Sequence, residues 1–83
     1  MSKYDVHLKP RAQKELARLE KETRQRLITA LERLKNDLQG DVKRLTSFTP
    51  EYRLRVGDYR ILFEVEHNTV VVYRICPRRD AYR

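Results

Sequence analysis

The sequence has few of the residues that cross-link a chain or interrupt its folding. Among 83 residues there is one cysteine, Cys76, which excludes an internal disulfide and predicts a reducing compartment. There are only two glycines and three prolines, and 40% of the residues are apolar, which favours a folded globule over a disordered tail. No apolar run approaches the roughly 20 residues that span a bilayer, and no signal peptide is recognisable. We therefore expect a single cytoplasmic domain over residues 1–83, without a membrane partner.

The residues that usually carry metal or acid–base chemistry are also scarce. His7 and His67 have no cysteine or carboxylate at metal-ligand spacing, so neither a metal site nor a cofactor is predicted. Cys76 has no histidine near it in the sequence and is not predicted to be a nucleophile. A glycine-rich phosphate loop and a nucleophile elbow are both missing from the sequence.

Positive charge is abundant. Nineteen lysines and arginines against twelve acidic residues give a net charge of +7, which favours a polyanionic partner such as nucleic acid or a nucleoprotein. The alternative is a basic surface that serves solubility alone. From Leu45 onward the chain has no lysine, whereas it has seven arginines. Because the planar guanidinium binds phosphate with two hydrogen bonds, this change predicts a site in the second half of the chain.

The first half of the sequence predicts a short strand, Lys3–Leu8, followed by helix. Pro10 suits a first helical position, and Gly40 is the first later residue that suits a helix stop. Two apolar stripes with helical spacing lie between them: Ala12, Leu16 and Leu19, then Leu27, Ile28, Leu31, Leu34 and Leu38. One helix of this length would measure about 45 Å, whereas a globule of this size is about 30 Å across. We therefore expect a break near Lys21–Thr23 that makes a helical hairpin.

The second half predicts a sheet. The expected strands are Val42–Leu45, Tyr52–Val56, Tyr59–Val65 and Thr69–Ile75, and two-residue turns at Gly57-Asp58 and His67-Asn68 separate the last three. This order predicts an α+β fold in which an N-terminal strand and a helical hairpin accompany an antiparallel β-meander, with the helices packed on one sheet face.

The first turn fixes which residues lie opposite each other. If Gly57-Asp58 forms the loop, Arg55 lies directly opposite Arg60, and Arg53 lies opposite Leu62. Like charges in such positions destabilise a sheet, and a face that is only solvated would more often place Glu or Thr opposite an arginine. The pattern therefore favours a functional anion site on this face over an accidental basic surface.

The second turn predicts that the chain end joins these arginines. It places Leu62 opposite Tyr73 and Arg60 opposite Ile75, so that the last strand runs back toward Gly57-Asp58. The residues expected to reach the arginine face are Arg78, Arg79, Tyr82 and Arg83, with Tyr73 and Leu62 as its floor.

Such a face could act on RNA without a conventional acid–base pair. RNA carries its own nucleophile, the 2′-OH, and clustered arginines can stabilise charge on the phosphorane oxygens. Arginine transfers protons poorly because its pKa exceeds 12, so Tyr82 is the expected proton-transferring group.

These segments together resemble a known family. A helical hairpin followed by "YRLRVGDYRILFEV", "TVVVYRI" and the closing "RRDAYR" is similar to the RelE/ParE toxin superfamily of toxin–antitoxin systems. The resemblance implies a RelE-like fold. RelE-type members are ribosome-dependent endoribonucleases that cut mRNA in the ribosomal A site through attack of the 2′-OH, whereas ParE-type members inhibit DNA gyrase without enzymatic activity.

The resemblance also implies roles for individual residues. Arg53 and Arg55 occupy positions that are often lysine in RelE-type enzymes, and Arg60 matches the arginine of a "GYR"-like segment. Arg78 matches the tail arginine, and Tyr82 the tail tyrosine that stacks on the substrate base. We expect these five residues to be catalytic. The residues expected to bind RNA are Arg79, Arg83 and Tyr73.

The expected partners follow from the same resemblance. They are a cognate antitoxin, expected to be acidic, together with the ribosome and mRNA. The favoured function is a metal-independent mRNA endoribonuclease. The alternatives are a gyrase inhibitor, for which the arginines would form only a contact surface, and a plain RNA-binding or ribosome-binding module.

Overall fold

The computed structural model describes residues 3–47 and 49–81. It has two helices, five strands and a C-terminal 3₁₀ helix at Arg78–Asp80. The elements are β1 (Asp5–Leu8), α1 (Pro10–Ala17), α2 (Lys21–Leu34), β2 (Asp41–Arg44), β3 (Tyr52–Val56), β4 (Tyr59–Glu66) and β5 (Thr69–Pro77). The sheet order is β1-β5-β4-β3-β2, with β1 parallel to β5 and the other neighbours antiparallel. The predicted α+β fold is confirmed.

Both helices pack on one face of the sheet and form the main core with it. The helices contribute one apolar residue from α1 and three leucines from α2, in keeping with their helical spacing. The buried core residues are Ala12, Leu27, Leu31, Leu34, Leu54, Ile61, Phe63, Val70, Val72 and Ile75. At the edge of this core the rings of Tyr52 and Phe63 stack with their centroids 5.5 Å apart. The opposite face of the sheet is therefore left without a helix.

The helices end earlier than the sequence predicts. The break lies at residues 18–20, before the predicted Lys21–Thr23, and α2 ends at Leu34 rather than near Gly40. The described residues extend only 32 × 27 × 22 Å, so a continuous helix from Pro10 would not fit. Neither helix in the described ranges is long and apolar enough to cross a membrane.

Hydrogen bonds to the N-terminal strand explain where α2 stops. The Tyr4 N–H donates to the Lys35 carbonyl at 2.9 Å, and Lys3 pairs with Asn36. The backbone then reverses through Asp37 and Leu38, whose φ angles are 58° and 57°. Leu38 still packs against the core, although it is no longer helical.

The β3–β4 hairpin has the predicted register. Val56 pairs with Tyr59 across the two-residue turn, Arg55 pairs with Arg60, and Arg53 pairs with Leu62. Gly57 has a φ of 57°, a left-handed conformation that glycine adopts without steric cost and that tight hairpins favour.

The β4–β5 register is as predicted near the second turn and wrong further along. Val65 pairs with Val70, but Leu62 pairs with Arg74 instead of Tyr73, and Arg60 pairs with Cys76 instead of Ile75. The cause is a β-bulge: Phe63 pairs with Val72 and Leu62 with Arg74, which leaves Tyr73 as the extra residue on β5.

A carboxylate on α1 holds β5 just after this bulge. Beyond the end of β1, Glu15 Oε1 accepts a hydrogen bond from the Ile75 N–H at 2.8 Å, and Oε2 accepts one from Arg74 Nε at 3.0 Å. The Arg74 and Glu15 side chains are only 18% and 21% exposed. Charge-assisted hydrogen bonds of this kind are stronger than neutral ones, so Glu15 ties α1 to the second half of β5.

We predict that Glu15→Ala lowers the free energy of unfolding by about 1–3 kcal/mol, because it leaves the Ile75 N–H and Arg74 without this acceptor. Urea unfolding measures the loss, and hydrogen exchange should be faster at the Ile75 amide. Glu32→Ala is the matched control, since Glu32 is an exposed glutamate in the last turn of α2. Equal losses in the two variants would contradict this role for Glu15.

Candidate functional site

Two rows of side chains cross the helix-free face of the sheet. One row runs Asp41, Arg55, Arg60 and Cys76, and the next runs Lys43, Arg53, Leu62 and Arg74. Five of these eight positions are cationic and one is a carboxylate. Positive charge is therefore concentrated on the helix-free face, across the four adjacent strands β2, β3, β4 and β5.

Four of the predicted site arginines line one cavity on this face. The cavity has a volume of about 700 Å³ and is lined by Lys43, Arg44, Leu45, Thr46, Arg53, Arg55, Arg60 and Arg78. The Arg78 N–H donates to the Asp58 carbonyl at 2.8 Å, which holds the end of β5 against the Gly57-Asp58 turn. Arg78 thus lies at the arginine face, despite the bulge. Below we call this space the arginine cavity.

Arg60 is the buried member of the group. It is 6% exposed, and its Nη1 donates to the carbonyl oxygens of Gly57 at 3.0 Å and Tyr59 at 2.9 Å. A buried guanidinium needs such acceptors because it stays charged at any ordinary pH. The turn therefore places Arg60 opposite Arg55, and carbonyl oxygens of the turn and of the residue after it accept hydrogen bonds from the Arg60 guanidinium.

Arg53 is held by a carboxylate at the neighbouring edge strand. Its Nη1 donates to the Asp41 carbonyl oxygen at 3.1 Å and lies 3.6 Å from Asp41 Oδ1. Arg55 and Arg78 are exposed instead. The cavity thus combines one buried guanidinium, one that is held at its edge and two that are exposed to solvent.

Other predicted site residues lie elsewhere. Tyr73 and Leu62 were both expected to form the floor of the arginine face, but neither lines the arginine cavity. Because of the bulge, Tyr73 lines a neighbouring cavity together with Leu62. Arg79 is exposed on the 3₁₀ helix. Tyr82 and Arg83 lie outside the described residues, so their expected roles stay predictions.

The contribution of β2 and the segment after it to this cavity was not predicted from the sequence. Lys43, Arg44 and Thr46 line the arginine cavity, and Asp41 contacts Arg53. The segment between β2 and β3 is longer than a tight turn, so no turn rule fixed the register of these two strands in advance. The basic pair Lys43-Arg44 within the predicted strand Val42–Leu45 was the available signal.

Cys76 ends the first row on this face, but its side chain is buried, with 2% of the residue exposed. Burial raises the pKa of its thiol above the ordinary value of 9.0, and the opposing charge of Arg74 does not reverse the rise. The thiolate is therefore scarce at neutral pH. Among the described residues, no cluster of three or more His, Cys, Asp or Glu side chains is arranged to hold a metal ion.

Known proteins resemble this chain in sequence. A family model described as the ParE toxin of the type II toxin–antitoxin system parDE matches residues 6–82. Toxin RelE3 of Methanocaldococcus jannaschii is 40% identical over 47 residues, which are 57% of this chain and 53% of that protein. The chain thus spans about half the length of this curated relative.

Solved structures resemble it in fold over nearly the whole chain. A chain of the RelB–RelE antitoxin–toxin complex from Methanococcus jannaschii has a TM-score of 0.76 and 28% identity, with 93% of this chain and 95% of that chain covered. The RelE–RelB complex from Pyrococcus horikoshii OT3 gives 0.77 and 25%, with 95% and 99% covered. The toxin–antitoxin complex RelBE2 from Mycobacterium tuberculosis gives 0.79 and 23%, with 92% and 99% covered, and shows similarity of fold alone.

We predict that Cys76 reacts with iodoacetamide much more slowly in the native protein than in the urea-unfolded chain at pH 8, because the raised pKa and burial both reduce accessible thiolate. The native thiol should stay protonated as pH passes 9.0, where the unfolded thiol ionises. Its contribution to stability is thus complete below that pH and is lost as pH rises through the folded pKa. Mass spectrometry of the alkylated chain measures both rates. Equal rates in native and unfolded protein would contradict the burial of the thiol.

Proposed function

We propose that this chain, which belongs to the ParE toxin family of type II toxin–antitoxin systems and has the RelE fold, is a metal-independent endoribonuclease that cuts mRNA in the ribosomal A site. The observation that carries the proposal is that one cavity is lined by four arginines, Arg53, Arg55, Arg60 and Arg78. Similarity to toxins named RelE supports the same reading.

The reaction proposed is attack of a 2′-OH on the adjacent phosphate. The 2′-oxygen loses its proton and bonds to phosphorus, and the bond from phosphorus to the 5′-oxygen breaks. The products are a 2′,3′-cyclic phosphate and a 5′-hydroxyl, whose oxygen takes up a proton. Charge grows on the non-bridging oxygens in between, and preorganised cations lower the energy of that state.

The arginines of the cavity act in this scheme by charge and position. Arg60 offers a fixed charge, because two backbone carbonyls hold its guanidinium before any substrate arrives. Arg55 and Arg78 are exposed and can close on the phosphate with paired hydrogen bonds. Arg53 completes the cluster from the strand edge, where Asp41 holds it.

The remaining roles fall to the chain end. We assign Tyr82 to stacking on the substrate base or to protonation of the leaving 5′-oxygen, and Arg79 and Arg83 to contacts with the RNA backbone. Proton transfer cannot come from the arginines, since they remain charged.

An antitoxin is the proposed protein partner, with the ribosome and mRNA as the other partners. The similar structures from Methanococcus jannaschii and Pyrococcus horikoshii are named as complexes of RelE with RelB. A chain with a net charge of +7 would associate rapidly with an acidic segment, so we expect the cognate antitoxin to be acidic.

Inhibition of DNA gyrase is the second candidate function. It is favoured by one observation, that the matching family model over residues 6–82 is described by ParE rather than RelE. The arginine cavity would then be a contact surface, and no bond would be cut.

We predict that the protein cuts mRNA within the A-site codon of paused ribosomes, and that Arg55→Gln lowers the rate by about 10²–10³-fold, the typical loss of one transition-state charge contact. A purified translation mixture with primer extension maps the 5′ ends. Arg55 is exposed, so its loss should leave the fold intact. Arg60→Lys tests the buried position, where a lysine keeps the charge but not the planar fork.

Arg18→Gln is the matched control, because Arg18 is an exposed arginine at the end of α1, away from the arginine cavity. The Arg18→Gln variant should cut mRNA at the wild-type rate. Intact mRNA at saturating wild-type protein would contradict the nuclease proposal. A gyrase supercoiling assay on the same preparation then decides the second candidate, since inhibited supercoiling with intact mRNA supports it.

A further inference from the structure

A second cavity lies on the same face of the sheet, beside the arginine cavity. It has a volume of about 540 Å³, within the range of small-ligand sites. We propose that it is a nucleobase-binding subsite, which receives the base of a nucleotide whose phosphate lies in the arginine cavity. This inference rests on the proposed function in that it takes RNA as the ligand.

The walls of this second cavity suit a flat, partly apolar group with polar edges. Pro50 is half-buried and contributes apolar surface, whereas Leu62 and Ala81 line the cavity at only 2% and 1% exposure, so that a base contacts little of either side chain. The Tyr73 ring adds an aromatic wall, on which any base can stack because every base has a π face. Lys9 and Arg74 bring hydrogen-bond donors to its polar side.

The bulge on β5 is what makes Tyr73 available. Tyr73 is the unpaired extra residue between Val72 and Arg74, so its ring belongs to the helix-free face and not to the core. The Lys9 N–H bonds to the Val72 carbonyl at 2.8 Å, and Lys9 Nζ lies 5.6 Å from the centre of the Tyr73 ring. Because Lys9 Nζ lies over one face of this ring, a base stacks on the other face or displaces the ammonium.

Residues that line the two cavities are neighbours on the sheet. Leu62 lies between Arg53, which lines the arginine cavity, and Arg74, which lines the second cavity. Along β4, Leu62 is two residues from Arg60 on the same face, a distance of about 7 Å. A base can therefore reach the Tyr73 wall while its phosphate contacts the arginines.

Charge also favours RNA over an apolar protein segment as the occupant. Lys9, Arg11 and Arg74 line the second cavity, and the only carboxylate bonded to them in the described contacts is that of Glu15. The positive potential of the arginine cavity continues into this space, which suits a polyanion that crosses both.

The test is an NMR titration of methyl-labelled protein with each nucleoside 5′-monophosphate and, separately, with ribose 5-phosphate. The Leu62 and Ala81 methyl signals should shift with nucleotides and not with ribose 5-phosphate, whereas the Arg55 Nε–H signal should shift with both. The Ala12 methyl is the internal control, because Ala12 is fully buried in the core on the other face.

Two variants keep the test independent of one substitution. Tyr73→Leu should weaken nucleotide binding by about tenfold, the loss expected for one stacking contact, and leave ribose 5-phosphate binding unchanged. Lys9→Met should also weaken nucleotide binding, and the matched Lys35→Met should not, since Lys35 is an exposed lysine after α2.

Three results would overturn the subsite. The first is that ribose 5-phosphate shifts the Leu62 and Ala81 methyl signals as much as the nucleotides do. The second is that Tyr73→Leu and Lys9→Met both leave the nucleotide affinity unchanged. The third is that these methyl signals depend on protein concentration without ligand, which would assign the cavity to a second copy of the chain.

The subsite and the nuclease can fail separately. If the wild-type protein cuts mRNA but these methyls do not respond to bases, the subsite is wrong and the nuclease stands. If the methyls respond and mRNA on paused ribosomes stays intact, the nuclease is wrong and a nucleotide site remains. When both hold, Tyr73→Leu should change which codons are cut.

Discussion

The two-residue turn at Gly57-Asp58 is the constraint on which the arginine cavity depends. It forces Arg55 opposite Arg60, and the repulsion between such a pair amounts to at most about 1 kcal/mol. Hydrogen bonds from a charged donor contribute roughly 1.5–3 kcal/mol each, and Arg60 makes two of them to backbone oxygens of the turn. These two hydrogen bonds act against both the repulsion and the cost of burying the Arg60 guanidinium. The result is a cationic site that exists before any ligand binds.

The bulge at Tyr73 divides the helix-free face into two kinds of surface. Before the bulge, β5 follows the simple alternation set by its turn, and after it the strand presents Arg74 and Cys76 opposite Leu62 and Arg60. Glu15 holds the strand at this point from the helix layer. The helices thus influence the helix-free face although they pack on the other one. The proposed phosphate-binding and base-binding surfaces lie side by side on this face.

The sequence predicted the β3–β4 pairing because Gly57-Asp58 leaves only one register, and it predicted the helix layer from apolar spacing. It did not predict the bulge, since Tyr73 is an ordinary strand residue and the hydrogen bonds of Glu15 come from 60 positions away. The end of α2 was missed for a similar reason, because it depends on pairing with the distant N-terminal strand. Tyr73 was misplaced because the bulge shifts the register that the His67-Asn68 turn sets, whereas Asp41 and Lys43 were missed because no tight turn defines the register of β2 against β3.

Whether the arginines act together on RNA is measured most directly by the salt dependence of binding. A short single strand with 2′-O-methyl groups cannot be cut, and its affinity can be followed by fluorescence anisotropy from low to high salt. Each lost phosphate contact should reduce the slope of log K against log salt by about 0.7. We predict this reduction in slope for Arg55→Gln and for Arg78→Gln, the sum of the two reductions for the double variant, and no reduction for Arg18→Gln. Equal slopes for the cavity variants and the control would contradict the proposal that the arginines act together on RNA.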